Sequence, residues 1–320
     1  MESSPRSTVV VLHGADRPPA MTEVEARATV RYTTADRLGS AIEGADVLLV
    51  WESRSTALSG AWAAARALRW VHVAGPAVRH LLFPGLRESG VVVTSSPGVF
   101  DEPMAEYVLG LVLAFAKDLP GTLRDQQRRR WQHRETERLA GSRALLVGTG
   151  PIARAIARKL TAVGVGVAAL GAPRAGDPDF GDVRPLGDLR AAVGGYDWVV
   201  LALALTEPTA GLVDASVLRA MRPTARLVNI GRSGLVVQPD LVDALDRGEL
   251  AGAAFDEFGD EPLAPSSPLW GMPNVLISPH MSGDVVGWRE ELVRRFADNL
   301  DRYLTGRPLV NAVDKERAAR

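Results

Sequence analysis

The chain contains no cysteine, which excludes disulfides, thiolate zinc sites and a cysteine nucleophile. Its five histidines are scattered, so no metal site is expected. No apolar run approaches the ~20 residues that a membrane-spanning helix needs. The opening residues, Met1-Glu2-Ser3-Ser4-Pro5-Arg6, run into a short apolar strand without the apolar core of a secretory signal. The expected location is therefore the cytoplasm. An excess of one charge is lacking as well. A net charge of −1 offers no general attraction to nucleic acid or to an anionic membrane, and neither is expected as a partner.

What is present is material for substantial cores. The 320 residues suffice for two domains of ordinary size, and 46% hydrophobic with 23% charged residues suits a soluble protein. Short apolar runs at 9–12, 29–32, 47–50, 70–73 and 91–94 read as strands, with helices over 35–43, 60–68 and 84–88 between them. Such alternation predicts an α/β domain with a parallel sheet covered on both faces. Residues 101–119 carry Ala105, Val108, Leu109, Val112, Leu113 and Ala116 at helical spacing. A further helix is expected over 121–138, where Arg124, Arg128, Arg129, Arg130, Arg134 and Arg138 would form a solvated face and Trp131 would anchor it by packing.

From Ala144 the alternation resumes. Strands are expected at 144–147, 165–170, 198–205, 226–230, 251–255 and 275–278, and helices at 152–162, 188–193, 214–221, 239–247 and 285–304. The first of these strands ends in Gly148-Thr149-Gly150, followed by Pro151, Ile152 and Ala153 at the start of a helix. Glycines let the backbone turn tightly and approach a ligand, while a helix start offers unpaired N–H groups and a positive dipole end to a diphosphate. Taken alone, the turn serves packing as readily as binding.

In an open parallel sheet, ligands bind beyond the carboxyl ends of the strands. Those ends carry the glycine turn, then Gly171 with Arg174, Thr206, Ile230-Gly231-Arg232, Asp256 with Glu261, and Pro279-His280. Three of these residues form a reaction set. Arg232 could hold a carboxylate in a bidentate fork. His280 could exchange a proton near neutral pH. Glu261, in contact with it, would favour the imidazolium.

Four motifs occur in order: Gly148-Thr149-Gly150-Pro151-Ile152-Ala153; Val228-Asn229-Ile230-Gly231-Arg232-Ser233-Gly234; Phe255-Asp256-Glu257-Phe258-Gly259-Asp260-Glu261-Pro262-Leu263; and Pro273-Asn274-Val275-Leu276-Ile277-Ser278-Pro279-His280. Together they closely resemble the signatures of the D-isomer-specific 2-hydroxyacid dehydrogenases. The resemblance extends to the stretches near residues 70 and 100 and so covers nearly the whole chain.

The resemblance implies two doubly wound parallel-sheet domains, with a Rossmann cofactor domain (101–284) inserted into a flavodoxin-like substrate domain (1–100 plus 285–320). It implies hydride transfer between a nicotinamide cofactor and a small 2-oxo or 2-hydroxy acid. Arg232 would orient the acid, His280 would move the proton and Glu261 would tune His280. Gly148, Gly150, Pro151, Ile152, Thr206, Ile230 and Asp256 would line the cofactor, with Asp256 near the nicotinamide carboxamide. A homodimer built through the cofactor domain is usual.

Departures from the family pattern shape further expectations. An aspartate often closes the second cofactor-domain strand, where this chain has Gly171, with Arg174 three residues on. A missing carboxylate beside a cation favours NADP(H) over NAD(H). The substrate loop, usually glycine-rich, reads Gly75-Pro76-Ala77-Val78-Arg79, and Pro76 removes one N–H donor. Ser233 stands where a glycine is usual, so the preferred acid could differ from glyoxylate and hydroxypyruvate. The altered loop keeps a second expectation open, a nucleotide-sensing, corepressor-like binding protein on the same fold. Formate oxidation, which in the family goes with a glutamine paired to the histidine, is not expected where Glu261 stands.

Overall fold

A computed structural model describes residues 6–319; residues 1–5 and 320, assigned from the sequence to the substrate domain, lie outside the described residues. The chain divides into two compact units, one of residues 6–99 with 286–319 and one of Phe100–Val285.

The first unit holds five parallel strands: β1 (Thr8–Leu12), β2 (Thr29–Thr33), β3 (Val47–Val50), β4 (Trp70–Val73) and β5 (Val92–Ser95), in the order β2-β1-β3-β4-β5. This is the flavodoxin-like doubly wound order. All four residues of β3 are buried, as expected of a parallel strand covered on both faces. Of the helices expected between strands, Pro84–Glu88 stands as read and the other two differ. Residues 35–43 resolve into a 3₁₀ turn, Ala35–Arg37, and one helical turn, Leu38–Ala41, while the next helix starts early, at Ala57–Ala61. A helix absent from the sequence reading, Thr22–Arg27, buries only Val24 and so carries no periodic signal.

The last long helix, Trp288–Leu304, belongs to this unit and lays Phe296 on Trp70, with ring centroids 5.2 Å apart. Beside them His72 is buried between Thr94 Oγ1 (2.7 Å) and Ser96 Oγ (3.0 Å). Trp70 Nε1 donates to the same Thr94 hydroxyl, so one oxygen serves both rings. Burial pushes the His72 pKa down to about 3.

The second unit carries eight strands: β6 (Arg143–Val147), β7 (Gly166–Gly171), β8 (Arg174–Asp177), β9 (Gly181–Pro185), β10 (Trp198–Leu201), β11 (Arg226–Asn229), β12 (Gly252–Phe255) and β13 (Val275–Ile277). Their order is β13-β12-β11-β10-β6-β7-β9-β8, parallel throughout except for the β8–β9 hairpin. Apart from the appended β8, this is a Rossmann sheet. Chain connections leave β6 toward β7 on one side and return at β10 on the other, which puts the topological switch point beside the glycine turn.

Two expectations in this unit need correction. The helix read over 101–119 is Asp101–Ala116; it breaks at Asp118, whose φ is +43°, and a second helix, Leu119–Gln127, follows. That second helix does not continue to 138. Beyond Gln127 the chain is irregular and tied down by long-range pairs: Arg134 to Asp118 (2.6 Å), and Glu137 to both terminal nitrogens of Arg226 (2.8 and 2.6 Å). The arginine run is thus no single helix face. Trp131 does not anchor the segment by packing; its side chain is fully exposed among the described residues. No helix among the described residues is long and apolar enough to cross a membrane.

Candidate active site

At the end of β6, Gly148 has φ +118°, and a Cβ there would collide with the carbonyl oxygen of Ala202. Only glycine fits. Gly150 is different: no atom lies within 4 Å of where its Cβ would stand, so its backbone faces open space. The Pro151–Ala162 helix begins at once, and its first internal bond runs from Arg154 N–H to Gly150 O at 3.0 Å. Pro151 has no N–H, which leaves those of Ile152 and Ala153 without carbonyls inside the helix. Ala153, where the fingerprint's third glycine would stand, is fully buried against the sheet. A tight turn, an open backbone and two unpaired helix donors fit a dinucleotide diphosphate.

At the end of β7, a Cβ on Gly171 would stand 2.8 Å from Thr149 Cγ2, so a side chain there would require Thr149 to turn aside. Arg174 opens β8 with its side chain 64% exposed and Nη1 3.5 Å from Asp177. Asp177 has a closer partner. Arg154, in the first turn of the Pro151–Ala162 helix, bonds both its oxygens (2.8 and 2.7 Å), reaches Asp179 (2.9 Å) and lies over the Phe180 ring. These bonds hold Asp177 down at about 2 and tie the hairpin carrying Arg174 to the helix behind the glycine turn.

The remaining strand ends divide into closed and open groups. Thr206 is engaged in a capping box, its N–H donating to Thr209 Oγ1 at 2.7 Å. Ile230 is buried and donates its N–H to Leu201 O. Asp256, expected near the nicotinamide, is buried and turned to the loop beyond β13. It accepts the Ser278 hydroxyl (2.8 Å) and the N–H groups of Met281 (2.9 Å) and Ser282 (3.1 Å). Between those anchors His280 adopts φ +54°, a left-handed conformation costly for a non-glycine residue and sustained only where the surroundings enforce it.

The structure brings Arg232, Glu261 and His280 together. Asn229 Oδ1 accepts Gly231 N–H (3.0 Å) and its amide donates to Arg232 O (3.1 Å), which fixes the turn beyond β11. His280 Nδ1 lies 2.9 Å from Glu261 Oε1, and the same oxygen accepts Phe258 N–H at 3.2 Å. This geometry fixes the ring and directs Nε2 away from Glu261. One residue was missed. Glu257 pairs with Arg232 Nη1, and its Oε2 is 4.0 Å from His280 Nε2. It could have been found by the rule that found the others, since it is the second residue beyond β12.

The Gly75–Pro76–Ala77 loop lies in the other unit, at the end of β4. Gly75 is buried, its N–H donates to Val73 O (2.8 Å) and its carbonyl accepts Ser96 N–H (2.9 Å). With Pro76 lacking a donor, Ala77 is the first of the three able to offer an N–H to a ligand.

Comparison with known proteins agrees with this architecture. Residues 109–282 match the NAD-binding domain model of the D-isomer specific 2-hydroxyacid dehydrogenases. The glyoxylate/hydroxypyruvate reductase A of Arabidopsis thaliana is 31% identical over 71% of this chain and 72% of its own. A D-isomer specific 2-hydroxyacid dehydrogenase of Xanthobacter autotrophicus, solved with NADPH and MES, is 28% identical with a TM-score of 0.80, covering 98% of this chain and 99% of its own. An NADPH-dependent glyoxylate/hydroxypyruvate reductase of Sinorhizobium meliloti, solved with NADP and sulfate, is 26% identical with a TM-score of 0.79, covering 98% and 100%. These names are those of enzymes, and the expectation of a nucleotide-sensing binding protein gains no support from them. A family model spanning more than half of the chain, and a reductase relative at this level of identity, make the protein a member of the D-isomer specific 2-hydroxyacid dehydrogenase family, a nicotinamide-dependent oxidoreductase.

Proposed function

We propose that the protein reduces a small 2-oxo acid to the D-2-hydroxy acid, with NADPH preferred as hydride donor. The observation that carries this reading is the bond between His280 Nδ1 and Glu261 Oε1 at 2.9 Å, on the same side of the sheet as Arg232. Glu261 accepts the Nδ1 proton, which orients the imidazole and leaves Nε2 to face the substrate. His280 Nε2–H then gives its proton to the carbonyl oxygen as that oxygen gains charge, and the ring is reprotonated from solvent. Arg232 holds the substrate carboxylate in its fork, which fixes the carbonyl relative to His280. The cofactor, when bound, supplies the hydride that reduces the carbonyl carbon.

Gly148, Gly150, Pro151 and Ile152 would carry its diphosphate, with Thr206, Ile230 and Asp256 shaping the crevice, Asp256 through the loop it holds. The NADPH preference rests on Gly171, which offers no carboxylate to a ribose hydroxyl, and on the exposed Arg174 guanidinium, suited to a 2′-phosphate. Relatives of similar fold were solved with NADPH or NADP. Glyoxylate and hydroxypyruvate are the first acids to try, as the substrates in the relatives' names. We read the protein as a homodimer through the second unit, where Leu119, Leu123 and Trp131 stand exposed along one segment.

A panel of 2-oxo acids with NADPH and with NADH, followed by nicotinamide absorbance, tests the reading. Turnover of at least one acid, about tenfold or more favoured with NADPH, is expected. Bound cofactor with no turnover of any acid would contradict it.

A further inference from the structure

Glu257 stands in the middle of the pair that the reaction uses. Its Oε2 is the partner of Arg232 Nη1, and the same oxygen is 4.0 Å from His280 Nε2. Its side chain is 12% exposed against 42% for Arg232, so the acid is the inner member of the ion pair. Its backbone is held on both sides. Asp256 is bonded to the His280 loop, and Phe258 N–H donates to Glu261. Only the side chain has freedom to move.

A carboxylate gripped by Arg232 and facing His280 Nε2 has the chemistry of the substrate's own carboxylate. We propose that Glu257 is a specificity-determining residue. It engages Nη1 of the Arg232 fork, and a 2-oxo acid that takes both nitrogens of the fork must displace it. The inference rests on the reading of Arg232 as the carboxylate anchor. Displacement costs affinity for every acid, because one good charge-assisted pair is exchanged for another. The displaced carboxylate also stays near the bound ligand, since its backbone is fixed. A second negative charge on the ligand is then opposed by like-charge repulsion, which is how a site discriminates by exclusion. Glu257 thereby selects monocarboxylic 2-oxo acids over dicarboxylic ones.

Calorimetric titration of the NADPH-loaded enzyme with two unreactive mimics tests this: oxamate, which carries one negative charge, and N-oxalylglycine, which carries two. Glu257→Gln is expected to bind oxamate about tenfold more tightly than wild type and to gain more for N-oxalylglycine, while Glu257→Asp, which keeps the charge, stays within about threefold. A gain in affinity is not an effect that structural damage produces. Unchanged or weaker oxamate binding by Glu257→Gln would overturn the proposal, and an equal gain for both mimics would overturn the charge selection. Arg232→Lys separates the two levels of argument. If it weakens oxamate binding while Glu257→Gln gives no gain, the occupant role falls alone. If it leaves oxamate binding unchanged, the anchor reading falls and takes the proposal with it.

Discussion

The carboxylate of Asp256 accepts the backbone N–H of Met281 at 2.9 Å, so the tip of β12 holds the residue next to His280. Ser278 Oγ and Ser282 N–H are also on that carboxylate; in Asp256→Ala the Ser278 hydroxyl keeps Phe255 O, but the N–H groups of Met281 and Ser282 are left without a partner. The expected cost is about 2–4 kcal/mol of stability, read by chemical denaturation. His280 would relax from its left-handed backbone, and kcat would fall on the order of tenfold or more.

Arg174 carries the cofactor choice in this account. Arg174→Ser should raise the KM for NADPH about tenfold, near 1.4 kcal/mol, and leave the KM for NADH within about twofold. Steady-state rates with both cofactors separate this from general damage to the hairpin, which would raise the two together.

His72 makes the first unit acid-sensitive. Its folded pKa, pushed down to about 3 by burial, lies below the unfolded value of about 6.5. The unfolded chain therefore binds the extra proton. Stability is complete above the unfolded pKa and is lost as pH falls from there toward the folded value, at up to ~1.4 kcal/mol per pH unit. Between pH ~6.5 and ~5, wild type should lose about 2 kcal/mol more than His72→Asn, measured by urea unfolding followed through tryptophan fluorescence.

Trp131 is exposed on the irregular segment beyond Gln127. If a second copy covers it, Trp131→Asp should weaken self-association by about tenfold or more, as expected when a central aromatic anchor is lost. Light scattering across a concentration series reads this directly; an unchanged dimer, or a monomeric wild type, would contradict the proposed face.

The parallel strands and the glycine turn were legible because each is a local pattern: short apolar runs, then Gly148, where a Cβ would meet Ala202. Arg232, Glu261 and His280 were legible because strand ends in such a sheet share one edge. The β8–β9 hairpin was not. Its residues are polar, and it is held by Arg154, 23 positions from Asp177. The irregular course of 128–142 was hidden for the same reason, since Glu137 reaches Arg226 across 89 positions. Gly75 shows a subtler limit: its identity suggested a donor for the substrate, whereas its N–H is already bonded to Val73 O.

Proton transfer by His280 is the central claim, and its most direct test pairs two measurements on His280→Gln. One is the single-turnover rate of NADPH oxidation with the best acid from the panel; the other is NADPH affinity by fluorescence titration. The rate should fall about 10²–10⁴-fold while cofactor affinity stays within about twofold. A rate close to wild type, or a loss accounted for by weakened NADPH binding, would contradict the assignment.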